Sequence, residues 1–199
     1  MADLLLRIRG LEDKLSEEIE KSRAYYDYNL RDKLAVFRAE ALARHKALKQ
    51  NLVAYVLQSR FLHLISAPII YSMIVPIVLL DLWVTLYQRV CFAAYKIPLV
   101  NRSDYIVIDR QHLRYLNGVE VLNCAYCGYG NGVFAYAREI AARTEQYWCP
   151  IKHARRIHDP HRHYLNFLEY GDAEGYRSSL EVCRRDIQSV NDDTPTQPY

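Results

Sequence analysis

Five cysteines and seven histidines are spread over 199 residues, and four of these side chains fall at spacings that suit a metal ion. Cys124-Ala-Tyr-Cys127 is followed by glycine, then by residues 129–148, then by Cys149-Pro-Ile-Lys-His153. A CxxC pair before glycine has the form of a metal knuckle. The two thiolates converge on one ion while the glycine permits a tight turn. CPxxH adds a third sulfur and an imidazole, so that Cys124, Cys127, Cys149 and His153 complete a closed tetrahedron. Zinc suits this mixed donor set, with iron or an Fe–S cluster as the alternative. Two other readings stay open: Cys124 and Cys127 as reduced core residues, or as a thioredoxin-like redox pair outside the usual βαβ setting. A disulfide is disfavoured because no signal-peptide pattern opens the chain.

Other groups lie near this motif. KHARRIHDPHRHY holds four of the seven histidines, and His158, His161, His163 and Asp159 suit either a second metal site or a solvated basic loop. Lys152, Arg155, Arg156 and Arg162 suit anionic lipid head groups. Glu139 and Glu145 stand between the cysteines as a ligand or general base, or as ordinary surface charges beside Arg138 and Arg143. Tyr126, Tyr129, Tyr136 and Tyr147 either pack a small core or form a redox-capable surround. Cys91 reads as a packing residue or a palmitoylation site, and Cys183 as a buried residue. No Walker loop, dinucleotide fingerprint, nucleophile elbow or HExxH is present.

The elements that must carry these residues differ along the chain. Over residues 1–59 there is no proline, and apolar residues recur at helical steps: Leu4, Ile8, Leu11, Leu15 and Ile19, then Tyr26, Leu30, Leu34, Phe37 and Ala41, then Leu48, Leu52 and Tyr55. The pattern predicts a long amphipathic, coiled-coil-like helix or helical hairpin that meets another helix or a second copy of the chain. Residues 60–95 carry the clearest signal, because Phe61 to Leu80 contains no formal charge and Asp81 is the one charge before Arg89. About 20 such residues cross a bilayer core as helix. Tyr71, Trp83, Tyr87 and Tyr95 suit interfacial anchors.

Basic residues flank the apolar run on both sides, so the positive-inside rule gives no orientation. A charged N-terminal stretch and thiolate ligands both favour the cytoplasm. That pattern calls for an even number of crossings, or a hairpin that dips in and turns near Pro76, in preference to a single span. Residues 96–188 form a small cytoplasmic helical domain, with a β-prone run at Tyr105–Ile108, a helix from Asp109 to Leu116, a glycine-rich turn around the cysteines, a helix over 133–148 and another over 173–188. Residues 189–199 read as a disordered tail.

Composition limits the partners. Twenty-six Lys and Arg against 23 Asp and Glu give a net charge of +3, too balanced for a nucleic-acid binder, and 51% hydrophobic residues exclude whole-chain disorder. The run NCAYCGYGNG, continuing to EIAARTEQYWCPIKH, resembles a family of small bacterial membrane proteins. The resemblance covers roughly residues 60–170, including IPLVNRSDYIVIDRQHLRYLN. It implies bacterial origin and membrane residence, and brings no activity. Together these readings predict a mainly α protein of the bacterial inner membrane with both termini cytoplasmic. Its metal-pinned domain would serve as a scaffold or accessory subunit, with membrane lipid and a helical partner as its contacts. The alternative is a membrane redox protein or metalloenzyme using iron at the same cysteines.

Overall fold

The computed structural model describes residues 2–31, 34–57 and 61–190, and they are mainly helical, as expected. The tail expected over 189–199 lies almost wholly outside the described residues. Among the described residues two compact units form, one within Met1–Leu64 and Ile108–Tyr126, the other within Ile65–Val107 and Cys127–Thr194.

In the first unit the expected long helix is interrupted. Helix α1 (Ala2–Tyr25) gives way to strands β1 (Tyr28–Arg31) and β2 (Leu34–Phe37), which pair antiparallel with Tyr28 opposite Phe37. Helices α2 (Ala39–Ala47) and α3 (Leu52–Leu57) follow. Four aromatic or Asx residues in succession, Tyr25-Tyr26-Asp27-Tyr28, are poor helix formers, and Asp27 takes a left-handed backbone at φ 58° that ends the helix. Asp27 also binds Arg44 (2.7 Å), which ties the hairpin to α2. The rings of Phe37, His45 and Tyr115 stack edge to face at centroid distances of 5.0 Å.

The apolar run forms α4 (Phe61–Ser72) and α5 (Ile74–Tyr87), continued by a π-type turn over Gln88–Phe92 and the short α6 (Ala93–Tyr95). The reversal expected near Pro76 does not occur. Pro76 sits in the first turn of α5, where a missing N–H breaks nothing, and Phe61–Tyr95 continues as one helix of 35 residues. This is the one helix among the described residues that is long and apolar enough to cross a membrane.

Helix α7 (Gly118–Trp148) is twice the length expected, because the glycine-rich segment is helix and not turn. Its start is fixed by a capping box: Asn117 Oδ1 accepts from the N–H groups of Val119 and Glu120, and Glu120 Oε2 accepts from the N–H of Asn117. The helix expected after Asp109 is reduced to a single 3-10 turn, Arg110–His112. Helix α8 (Ala173–Gln188) matches its expected span and is capped by Asp172, which accepts from the N–H of Gly175.

Within the second unit α5 and α7 run parallel. Ile77 meets Gly130, Asp81 meets Tyr129, Thr85 and Gln88 meet Tyr136, and Tyr87 meets Thr144, so both chains rise in number together. Parallel neighbours need a connection that returns along their length, and residues 96–107 supply it as an irregular strap interrupted by a 3-10 turn at Arg102–Asp104. Along that strap Pro98 lies against Arg143, Val100 against Gln88, Arg102 against Asp81, and Tyr105 and Ile106 against Gly132. Phe92, Ile97, Val100, Tyr136, Ile140 and Ile187 form the core where the helices, strap and α8 meet.

Glycine at 132 is what lets the strap lie flat. A Cβ there would stand 2.7 Å from the Tyr105 carbonyl oxygen and 2.9 Å from Ile106 Cα, both backbone atoms. At Gly130 the nearest atom is the flexible tip of Ile77, at 3.4 Å. Gly132→Ala should therefore destabilise the protein by about 1–3 kcal/mol in urea unfolding followed in mild detergent. Gly130→Ala should be close to neutral. Equal effects at the two positions would show that the strap does not make this close approach.

Candidate functional site

The four expected metal ligands do not meet. Cys124 and Cys127 lie one turn apart on α7, and Cys149 follows that helix's last residue. The helical rise of about 1.5 Å per residue puts Cys127 roughly 30 Å from Cys149. His153 is held elsewhere: its N–H donates to the Tyr164 hydroxyl (2.7 Å), and its ring stacks on the Tyr164 ring. Among the described residues no three His, Cys, Asp or Glu side chains converge as a metal site requires. The glycines that suggested a knuckle have another use, since Gly128 and Gly132 admit the strap backbone to one face of α7. In this arrangement the four residues expected to hold zinc, or iron in the alternative, are not brought together, and the glycines between them serve helix packing.

The remaining cysteines behave as expected of packing residues. Cys183 is buried on α8, and burial pushes its thiol up, away from the reactive thiolate. Cys91 is half-buried in the π-type turn. The tyrosines pack and satisfy polar groups: Tyr129 donates to Asp81 (2.8 Å), Tyr136 lies in the core, and Tyr147 packs against Tyr95 and Trp148.

The polar chemistry is instead concentrated along the seam between α5, the strap and α7. At one level, Arg102 grips Asp81 through two nitrogens, with Nη2 at 2.6 Å from Oδ2 and Nε at 3.0 Å from Oδ1. Gln88 spans the next level, accepting from the Val100 N–H (2.9 Å) and donating to the Val100 carbonyl and the Tyr136 hydroxyl. Gln88 answers the backbone N–H and carbonyl of buried Val100, and the exposed Arg102 is the partner that satisfies the buried Asp81 carboxylate.

A second cluster lies farther along α7. Arg143 is fully buried and donates from Nε to Glu139 (2.9 Å) and from Nη1 to the Pro98 carbonyl (2.8 Å). Glu139 also meets Arg162 and His163 Nε2, the latter at 3.1 Å. Burial by itself would raise the Glu139 carboxyl, but hydrogen bonds from His163, Arg162 and Arg143 outweigh it and hold the group at about 2. A carboxylate so held cannot serve as a base near neutral pH, so Glu139 is a fastening between α7, the strap and the loop after it. From the sequence Glu139 stood as a ligand, a general base or a surface charge, and Arg143 as a surface charge, but not as a buried pair. The signal against that was their position: they share an i, i+4 step on the same helical face as Tyr136 and Ile140.

His161 and Glu145 form the other pair, with Nε2 and Oε2 3.1 Å apart, while His161 Nδ1 is buried with no partner. Glu145 opens onto a shallow groove of about 490 Å³ between α5 and α7, floored by Val84, Ala141 and Thr144. His158, Arg155 and Arg156 remain on the surface of the loop, whereas Arg162 turns inward to Glu139.

No family model, curated protein or solved structure matches this chain.

Two outcomes follow. Because the folded carboxyl of Glu139 ionises at about 2 against an ordinary 4.5, its contribution is complete above pH 4.5 and is lost as pH falls towards 2. Wild-type stability should drop across that window by on the order of 3 kcal/mol more than that of Glu139→Gln. At neutral pH the variant should be weaker by about 3–5 kcal/mol, since it removes the carboxylate charge that faces the buried Arg143 guanidinium. Equal pH slopes for the two proteins would contradict the geometry. For the cysteines, Cys127→Ser and Cys149→Ser should leave both metal content and melting temperature unchanged. A parallel loss of zinc and stability in both variants would restore the metal centre.

Proposed function

We propose that this protein is a membrane-bound scaffold or accessory subunit of the bacterial inner membrane, anchored through Phe61–Tyr95 and assembled with other chains through α1. The observation that carries the anchor is how little of the apolar helix the protein itself covers: only 11% of its most apolar window is buried. A core helix of a soluble protein would be mostly covered. Here α4 has no buried residue, and the outer face of α5 leaves Leu79, Leu82, Trp83 and Leu86 exposed, continued by Val90 in the π-type turn. The inner face of the same helix carries Ile77, Asp81, Gln88 and Phe92. Lipid meets the outer face at no cost in unsatisfied polar groups, because every hydrogen-bonding side chain named in the seam points the other way.

Monotopic anchoring is the arrangement this reading favours. The strap that follows the helix exposes Asn101, Arg102 and Ser103, and irregular polar backbone is not stable against hydrocarbon. Met1–Leu64 and Ile108–Tyr126 also belong to one compact unit, so the chain that leaves it at the helix comes back to it after the strap. A single crossing would divide that unit across the bilayer. Both termini on the cytoplasmic side accord with this, as does the resemblance to small bacterial membrane proteins. Assembly rests on α1, where Leu11 and Leu15 form part of an exposed stripe at a four-residue step.

The protein should stay with membranes through carbonate and high-salt washes, since screening charge does not undo apolar burial. Replacing Leu82 and Leu86 by Asp should release most of it, and protease sites added at the two ends should be cut from the same side of inverted vesicles. A detergent-free monodisperse protein would sink the anchor, and cleavage from opposite faces would sink the monotopic form.

A further inference from the structure

The loop between α7 and α8 is basic, yet it is neither extended nor loose. Its ends are joined by backbone hydrogen bonds from Leu168 N–H to the Pro150 carbonyl and from Lys152 N–H to the Leu168 carbonyl, each 2.8 Å. His153 N–H is held by the Tyr164 hydroxyl, and Asp159, in a left-handed backbone at φ 50°, is held by Arg138 (2.8 Å). Lys152 pairs with Glu169 across the base. These fastenings hold the loop open as a concavity of about 330 Å³, lined among others by Arg155, Arg156, His158 and Tyr164.

Charge inside the concavity is unevenly spent. Its two acids, Asp159 and Glu169, are each already engaged by a cation, Arg138 and Lys152. Arg155 and Arg156 line the same space, and among the described residues neither has an acidic partner. The contrast with Arg143 and Arg162 is informative, because those two arginines are both drawn onto Glu139. Two adjacent guanidinium groups left free in a shaped, solvent-open hollow offer planar donor forks that match a tetrahedral oxyanion better than a lone ammonium does. His158 and the Tyr164 hydroxyl add hydrogen-bonding groups at the rim. A hollow of this size lies near the lower end of small-ligand sites, roughly 300–1,000 Å³, which suits a single anionic head and not a long polymer.

We propose that the Lys152–Leu165 loop is a binding site for a phosphate group, carried either by a soluble anion or by a lipid head. The site depends on the loop's own geometry and not on the membrane reading, so the two can fail separately.

The test uses the full chain in a neutral maltoside detergent and isothermal titration with two probes, inorganic pyrophosphate and short-chain dihexanoyl phosphatidic acid. Saturable binding of one equivalent is expected, weakened at least tenfold in Arg155→Gln/Arg156→Gln. Arg177→Gln/Arg185→Gln removes the same charge from exposed positions of α8 and should bind as wild type. Arg155→Lys/Arg156→Lys keeps the charge and loses the forks, and should weaken binding at least threefold. Binding of phosphatidic acid alone assigns the site to a lipid head, and binding of pyrophosphate as well shows that the phosphate suffices. Any of three results would overturn the proposal: no binding of either probe at millimolar concentration, an unchanged affinity in either loop variant, or an equal loss in the α8 control.

Discussion

The second unit is organised around a close approach of backbone to backbone, at Gly132 and the strap residues Tyr105 and Ile106. Two helices that run in the same direction leave a return segment with nowhere to go except along their shared groove. A largely irregular segment in that position brings carbonyl and N–H groups with it, and those its own turn does not pair must be answered by the helices on either side. The missing Cβ at 132 makes room, and the polar residues of α5 and α7 supply the partners. Asp81, Gln88 and Arg143 are intelligible only together with the strap, since each one faces a donor or acceptor that the strap brings.

This explains why an apolar helix carries a carboxylate and an amide on one face. Asp81 and Gln88 sit seven residues apart, two helical turns, which places them in line and against the strap. The opposite face has no polar demand to meet and is free to be wholly apolar. The helix is thus two-sided in an unusual sense. It is a polar, buried seam towards its own domain and an apolar surface away from it, the reverse of an amphipathic helix on a soluble core.

Much of this was legible in the sequence, and the parts that were not have physical causes. The apolar helix and α8 could be read directly, the first from length and absence of charge, the second from its amphipathic pattern. Glycine density around Cys124 and Cys127 predicted a turn because glycine is a weak helix former in isolation. A long helix with a capping box at Asn117 and close packing on one face overrides that weakness. The same error made the cysteines look like ligands, for CxxC and CPxxH converge only if the chain between them folds back. The buried pairing of Glu139 with Arg143 was not foreseen, because their charge outweighed their place on the buried stripe. The break at Asp27 was missed because Tyr26, Leu30, Leu34 and Phe37 keep steps of three and four although the chain from Tyr28 to Phe37 forms a β-hairpin.

The parallel arrangement of α5 and α7 bears on the order in which the chain can fold. Asp81 and its partner Tyr129 are separated by 48 residues, and no shorter stretch of chain completes the seam. On a ribosome elongating at roughly 5–20 residues per second, α5 has emerged for about 2–10 s before α7 is there to receive its polar face. During that interval the polar face of the helix has only the strap to answer it, through Val100 and Arg102, while its apolar face stays uncovered. Under the proposed anchoring, a nascent chain of this design meets the bilayer before its interior is complete, and membrane attachment becomes a step on the folding path and not an event that follows it.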